Sequence, residues 1–329
     1  MGARAAIYGL SGLEITQDEL AFFRDADPWG FILFARNIDR PDQVNRLTSS
    51  LRESIGRDAP ILIDQEGGRV QRMRGPHWQE WPPMRDLCED PMDEISRLDR
   101  IRAQYATIAT ELRSVGIDVN CAPVLDVPQA DAHPIIGDRA FGTSPAEIAL
   151  RGREAMAALL DGGVLPVIKH LPGHGRALAD SHEALPRVGT DLDALRADDF
   201  LPFRALREAP LGMTAHIVYE AIDPDACATL SPAAIQLIRD DIGFDGLLMT
   251  DDLSMHALSG PFSERASGAL SAGCDIVLHC NGVLTEMTEI AAAVPGLTGK
   301  AADRAARALA ARPAPAASPK AYVREVVNG

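Results

Sequence analysis

Eight short, almost wholly apolar runs punctuate this chain, each too brief for a helix and each bounded by turn-forming residues. They are AAIY from Ala5, GFILF at 30–34, ILID at 61–64, VNCAP at 119–123, PVIKH at 166–170, GMTA at 212–215, LLMT at 247–250 and IVLH at 276–279. An apolar run that does not alternate with polar residues marks a strand buried on both faces, the situation of a parallel strand covered by helices. The intervening segments carry the covering helices. Val44, Leu47, Leu51 and Ile55 follow helical spacing and stop at Gly56; Ile101, Tyr105, Ile108, Leu112 and Val115 do the same before Gly116. Thr16-Gln17-Asp18-Glu19 has capping-box spacing, Ser144-Pro145-Ala146-Glu147 adds proline at the first helical position, and Ser231-Pro232 opens a further helix.

Eight strand–helix units over about 280 residues suit an α/β fold of the single-domain (β/α)8 TIM-barrel type better than an open doubly wound sheet. The 329-residue length agrees with one large domain. A dinucleotide-binding sheet is poorly supported, because YGLSGLE after the first run has two glycines where the fingerprint needs three. The barrel is expected over residues 1–312. PAPAASPKAYVREVVNG, residues 313–329, offers no periodic apolar face and is expected to be a Pro/Ala-rich C-terminal tail outside the core.

Lys and Arg number 32 against 47 Asp and Glu, a net charge of −15, so the long-range field repels phosphate backbones and anionic membrane surfaces. Neither nucleic acid nor membrane is an expected partner. The five cysteines, Cys88, Cys121, Cys227, Cys274 and Cys280, are odd in number and widely spaced, which argues against a disulfide framework and fits a reducing compartment. No apolar h-region opens the chain and no run of eighteen apolar residues occurs, so a cytoplasmic protein is expected, as a monomer or weak oligomer.

Chemistry in such a barrel belongs to the C-terminal ends of its strands. There the chain places Arg36-Asn37, Asp64-Gln65-Glu66 with Arg69 and Arg72, Lys169-His170, His216, Asp251-Asp252 and His279-Cys280-Asn281. Any one of these side chains can be a solvated strand end or a helix cap. Together, aimed at one mouth, they carry a large desolvation cost unless they pair with one another or bind something polar. KHLPGHGRALADSH, residues 169–182, holds three histidines, a lysine and an aspartate. His170 and His174 stand four apart, as metal ligands on a helix do, but Pro172 and Gly173 forbid that helix, so neither a metal nor another cofactor is expected. Asp180 lies two residues from His182, where a carboxylate can orient an imidazole for general acid/base work on a loop able to close and withdraw. In MTDDLSM, Asp251 ends the strand and should face the mouth, while Asp252 should cap the next segment. A carboxylate opposite an acid/base group is what displacement at an anomeric carbon requires.

With DQEGGRVQR (64–72), IGDRAFG (136–142), KHLPGHG (169–175), DSH (180–182) and TDDLSM (250–255) taken together and in this order, the chain resembles glycoside hydrolase family 3. More narrowly it is similar to the single-domain bacterial β-N-acetylglucosaminidases of peptidoglycan recycling. The resemblance implies that Asp251 is the nucleophile of a covalent glycosyl-enzyme, His182 the acid/base and Asp180 its partner. It implies too that Asp64, Arg72, Arg139, Lys169 and His170 hold a terminal N-acetylglucosamine, and that His174 is structural. The small-molecule substrate implied is an N-acetylglucosaminyl-anhydromuropeptide or a relative of one. Leu171 and Arg176-Ala177-Leu178-Ala179 depart from the usual family pattern, in the loop that carries the dyad. The competing expectations are substrate assistance by the acetamido oxygen, a related β-glycosidase or phosphorylase of other specificity, a non-catalytic sugar-binding barrel, and a metal-dependent barrel hydrolase.

Overall fold

The computed structural model describes residues 2–130, 132–181 and 185–312. Its centre is a closed barrel of eight parallel strands in sequence order. The strands are β1 (Arg4–Tyr8), β2 (Pro28–Leu33), β3 (Ile61–Ile63), β4 (Val119–Asn120), β5 (Leu165–Leu171), β6 (Leu211–Thr214), β7 (Leu247–Asp252) and β8 (Ile276–His279). β8 closes on β1 through the pairs Ala6–Val277, Ile7–Leu278 and Tyr8–His279. Each strand grows from one of the eight apolar runs, and their lack of alternation has the expected cause: every residue of β2 and of β5 is buried, between the barrel interior on one side and helices on the other. The (β/α)8 architecture read from the sequence is therefore the one observed.

The helices form where their stripes predicted. Val44, Leu47 and Leu51 face the core from the helix Pro41–Ile55, and Ile101, Tyr105, Ile108 and Leu112 do so from Glu94–Ser114. Thr16 and Glu19 form the reciprocal capping box, and the Ser231 hydroxyl accepts from the Ala234 amide. One capping expectation fails. The helix Pro145–Asp161 starts at its proline, but Ser144 makes no side-chain cap, because Glu147 turns to Arg151 one turn along, at 3.5 Å, instead of reaching back. Among the described residues no helix is long and apolar enough to cross a membrane. The sequence-based tail, residues 313–329, lies outside the described residues.

Candidate active site

Asp64 is set by two neighbouring amides. Asn120, at the end of β4, accepts from the Gln65 amide and donates to the Gln65 carbonyl, both at 3.0 Å, which pins the chain one residue past Asp64. The Gln65 side chain then accepts from the Arg72 and Met73 amides at 2.9 and 3.0 Å. The two-stranded ribbon Gln65–Gly67 with Val70–Gln71 is thereby folded back over the mouth. Its turn needs the two glycines: Gly67 and Gly68 have φ of 105° and 59°, and a β-carbon at either would stand 2.7 Å from Pro82 or Pro83. DQEGGRVQR is thus a device that returns Arg72 to Asp64, at 3.1 Å.

β5 supplies the counter-charge. Lys169 Nζ lies 2.8 Å from Asp64 Oδ1 and 2.7 Å from Glu66 Oε1, and Arg139 grips Glu66 with two bonds of 2.8 Å. Arg139 reaches the mouth from the short 3-10 turn Gly137–Arg139. Burial pushes the Asp64 and Glu66 carboxyls up, but the adjacent cations win: Lys169 and Arg72 hold Asp64 well below its ordinary range, and Arg139 and Lys169 bring Glu66 down to about 2. Lys169 responds in mirror image, raised by its two carboxylates against the cost of burial. Asp64, Glu66, Arg139 and Lys169 are therefore charged at neutral pH.

His170, the next residue on β5, turns to Asp126. Its Nδ1 stands 2.6 Å from Asp126 Oδ2, while Asp126 Oδ1 accepts from the amides of His170 and His174 at 3.1 and 2.6 Å. The rings of His170 and His174 are 5.5 Å apart, each with a nitrogen committed to a protein partner, His174 Nε2 lying 3.0 Å from Ser181 Oγ. Burial, and then the neighbouring His170, lower His174 to about 4, so it is neutral. No helix runs through this stretch, and among the described residues no three His, Cys, Asp or Glu side chains are grouped to hold a metal ion.

Asp251 lies in β7 with Oδ1 accepting from the Asp252 amide at 2.8 Å. Asp252 caps the following turn as expected, accepting from the Ser254 amide at 3.0 Å and the Cys280 amide at 3.1 Å. His216, beyond β6, stands with Nε2 3.0 Å from the Asp252 carbonyl and Nδ1 2.7 Å from Thr229 Oγ1. Cys121 and Cys280 are pushed up mainly by burial, and both also feel the Asp64 and Asp251 charges. Asp64 and Asp251 sit at the same, C-terminal end of the barrel, on strands that stand opposite each other in its order.

The loop after β5 is firmer at its base than its composition suggested. Gly175 packs against the Val127 backbone, where a β-carbon would sit 1.8 Å from the carbonyl oxygen. The Gly175 and Ala177 carbonyls accept from the Gln129 and His133 amides at 3.1 and 2.8 Å, Tyr219 donates to the Gly173 carbonyl, and Arg176 binds Asp199 at 2.6 Å and Asp198 at 3.0 Å. Residues 173–177, at the base of the loop expected to close and withdraw, are thus docked against neighbouring segments. Farther on, the Ser181 carbonyl accepts from the Ala257 amide at 3.2 Å, which brings the β5 loop against the β7 loop. Asp180 is half-buried beside Ser181. His182 lies outside the described residues.

Of the residues predicted for the site, Asp64, Arg72, Arg139 and Lys169 meet in one charged cluster, with His170 next to Lys169 on β5 and Asp251 at the same end of the barrel. Glu66 and Asp126 were missed as site residues. Asp126 follows β4 by several residues, past Pro123, so a search for polar groups immediately at strand ends passes over it. Glu66 was noticed at its strand end, but its role is set by Arg139, 73 residues away.

The model of the glycosyl hydrolase family 3 N-terminal domain matches residues 11–310, nearly all of the described chain. The chain belongs to glycosyl hydrolase family 3. Among its relatives in the family is a beta-hexosaminidase of Methylococcus capsulatus, 38% identical over 306 residues that make up 90% of each chain. Another is a beta-hexosaminidase of Methylobacillus flagellatus, 39% identical over 278 residues, 82% of this chain and 78% of the relative. Of solved structures, NagZ from Neisseria gonorrhoeae in complex with N-trifluoroacetyl-D-glucosamine superposes with a TM-score of 0.86 at 31% identity, covering 94% of this chain and 90% of that one.

Proposed function

We infer that this family 3 protein is a retaining exo-β-N-acetylglucosaminidase, a β-N-acetylhexosaminidase that removes terminal β-linked N-acetylglucosamine from muropeptide fragments of peptidoglycan. The observation that carries this reading is the buried Asp64–Arg72–Lys169 cluster at the same end of the barrel as Asp251. The cluster supplies donors and an acceptor for the hydroxyls of a non-reducing sugar, and Asp251 supplies the nucleophile. The relatives' names and the glucosamine derivative bound by the Neisseria protein support the choice of sugar.

In the first step Asp251 attacks the anomeric carbon and forms the glycosyl ester, while His182 as imidazolium protonates the departing oxygen. In the second, neutral His182 takes a proton from water, which attacks the same carbon and frees Asp251, so the β configuration is kept. Asp180 supports the cationic imidazole. Asp64, Arg72, Arg139, Lys169 and His170 hold the sugar, and no metal or cofactor takes part. A cytoplasmic location, where such fragments would be small soluble molecules, completes the reading.

The decisive experiment compares aryl β-N-acetylglucosaminide with aryl β-glucoside, using Asp251→Ala as control. Turnover of the first alone, lost in the variant, is expected, and a fluorinated N-acetylglucosaminyl donor should label the peptide containing Asp251. Preference for the glucoside, or turnover that survives the substitution, overturns the reading.

A further inference from the structure

His170 is one of five residues to which the reading above gives the sugar, and the protein holds it from behind in an unusually complete way. Asp126 is fully buried, and its carboxylate takes three bonds from the segment His170–His174: one oxygen takes the His170 and His174 amides, the other faces His170 Nδ1 at 2.6 Å. Burial pushes the Asp126 carboxyl up, yet His170, and then His174, hold it down to about 2. An ionised carboxylate only accepts hydrogen bonds, so the proton on this side of the His170 ring sits on Nδ1. A neutral ring then carries its lone pair on Nε2, the nitrogen turned away from Asp126.

We propose that Asp126 is the positioning residue that fixes the His170 tautomer, so that Nε2 meets a sugar hydroxyl as a hydrogen-bond acceptor. The proposal rests on the reading that His170 faces the sugar. It complements the Lys169–Arg139–Arg72 cluster, whose free valences are donors: without an acceptor beside Asp64, a hydroxyl's own proton is left unpaired in a buried site, which is costly. Because the same carboxylate holds the His174 amide, the sugar-facing ring and the base of the β5 loop share one anchor. In Asp126→Asn the carbonyl can still take the two backbone amides, which leaves the NH2 group facing His170 Nδ1. Two donors cannot face each other, so the ring moves its proton to Nε2 and presents a donor to the sugar.

The test combines a spectrum with kinetics. Long-range 1H–15N correlation on histidine-labelled protein at about pH 8, above the ordinary histidine range, with His170→Gln for assignment, should show Nδ1 protonated in the native protein and Nε2 protonated in Asp126→Asn. The variant should lose about 10- to 100-fold in kcat/KM on the aryl β-N-acetylglucosaminide, the scale of leaving one buried polar group unpaired. Among monofluoro-deoxy analogues, one should gain on the parent sugar in the variant, since fluorine cannot donate. A native spectrum with Nε2 protonated overturns the proposal without any variant, so a misfolded Asp126→Asn leaves the question decidable. Native kinetics and an unchanged tautomer in the variant overturn it as well. A switched tautomer with every kinetic constant unchanged removes His170 from the sugar site and so breaks the underlying reading at that residue, while Asp126's control of the ring stands.

Discussion

At the floor of the barrel Asp118 immediately precedes β4 and Asp275 precedes β8; at the mouth Asp64 follows β3 and Asp251 lies in β7. The floor pair and Asp64 are alike in being carboxylates drawn out of water against cations, but they differ in what else they hold. Asp118 accepts from the Ile61 amide at 2.7 Å as well as from Arg52 at 3.1 Å and from Arg312. Asp275 accepts from the Leu248 amide at 2.9 Å, from Arg239 at 2.6 Å and from Arg304 at 3.0 Å. Each floor carboxylate therefore stitches the start of a neighbouring strand to its own, neutralised by Arg52, Arg239 and Arg304 from the outer helices and by Arg312 just past the last one. Asp64 and Glu66 take their bonds among the described residues from side chains. A backbone bond between strands cannot be exchanged without opening the barrel. A bond to a lysine or arginine can be shared with an incoming hydroxyl, which makes the floor a fastening and the mouth a binding surface.

The largest test of this division acts on the mouth alone. His182→Ala should lower turnover by roughly 10²- to 10⁴-fold on substrates with poor leaving groups and far less on activated aryl glycosides, the range for general acid catalysis. Steady-state kinetics on both classes checks it. An equal loss on both would remove the proton-donor role and leave the mouth as a binding site only.

Lys169→Met comes next and sharpens the comparison, because it leaves Asp64 and Glu66 facing each other across a buried gap. Its side chain is only 3% exposed, so little solvent screening softens the loss. Removing one partner of a buried ion pair costs about 3–5 kcal/mol, and both denaturant midpoint and kcat/KM should fall. The matching substitution at the floor, Asp118→Asn, should cost about 1–3 kcal/mol, since Arg52 and Arg312 keep partial contact with water, and should leave kcat/KM unchanged. Activity lost with Asp118→Asn, or stability untouched by Lys169→Met, would erase the distinction between the two ends.

Sequence reasoning saw these two ends unequally. The eight strands were legible because a parallel strand buried on both faces has to be apolar throughout, a pattern local to four or five residues. Asp64, Lys169 and Asp251 were legible for the opposite reason, as charges that interrupt apolar runs where a barrel opens. Asp118 and Asp275 also adjoin apolar runs, at the other end, and nothing local in the sequence tells an aspartate that stitches strands from one that binds. Asp126 is harder still, since its importance comes from two amides and a ring 44 to 48 residues away. The absent cap at Ser144 shows the reverse error: the spacing was right, but Glu147 has a competing partner in Arg151 that only the folded chain brings within reach.

The smallest expected effect concerns the joint between mouth and loop. His174 is buried and neutral, lowered from 6.5 to about 4 by burial and then by His170. In the unfolded chain the same ring takes a proton near its ordinary value, so between about pH 6.5 and 4 the unfolded state binds more protons than the folded one. Its contribution is therefore fully present above the ordinary value, is lost as pH falls through this window, and levels off below the folded value. Glu66 adds a separate loss further down, because its folded value of about 2 lies below its ordinary 4.5: its stabilisation is complete above 4.5 and disappears as pH falls toward 2. Denaturant unfolding at a series of pH values should show both slopes. His174→Gln should reduce the upper one, to which buried His216 also contributes, and leave the lower one in place; Glu66→Gln should reduce the lower one, which it shares with Asp64 and Asp126, and leave the upper one. If His174→Gln leaves the upper slope unchanged, the buried imidazole is already protonated in the folded protein and donates a charge-assisted hydrogen bond to Ser181, which would make the loop anchor part of the charged mouth and not a neutral joint beside it.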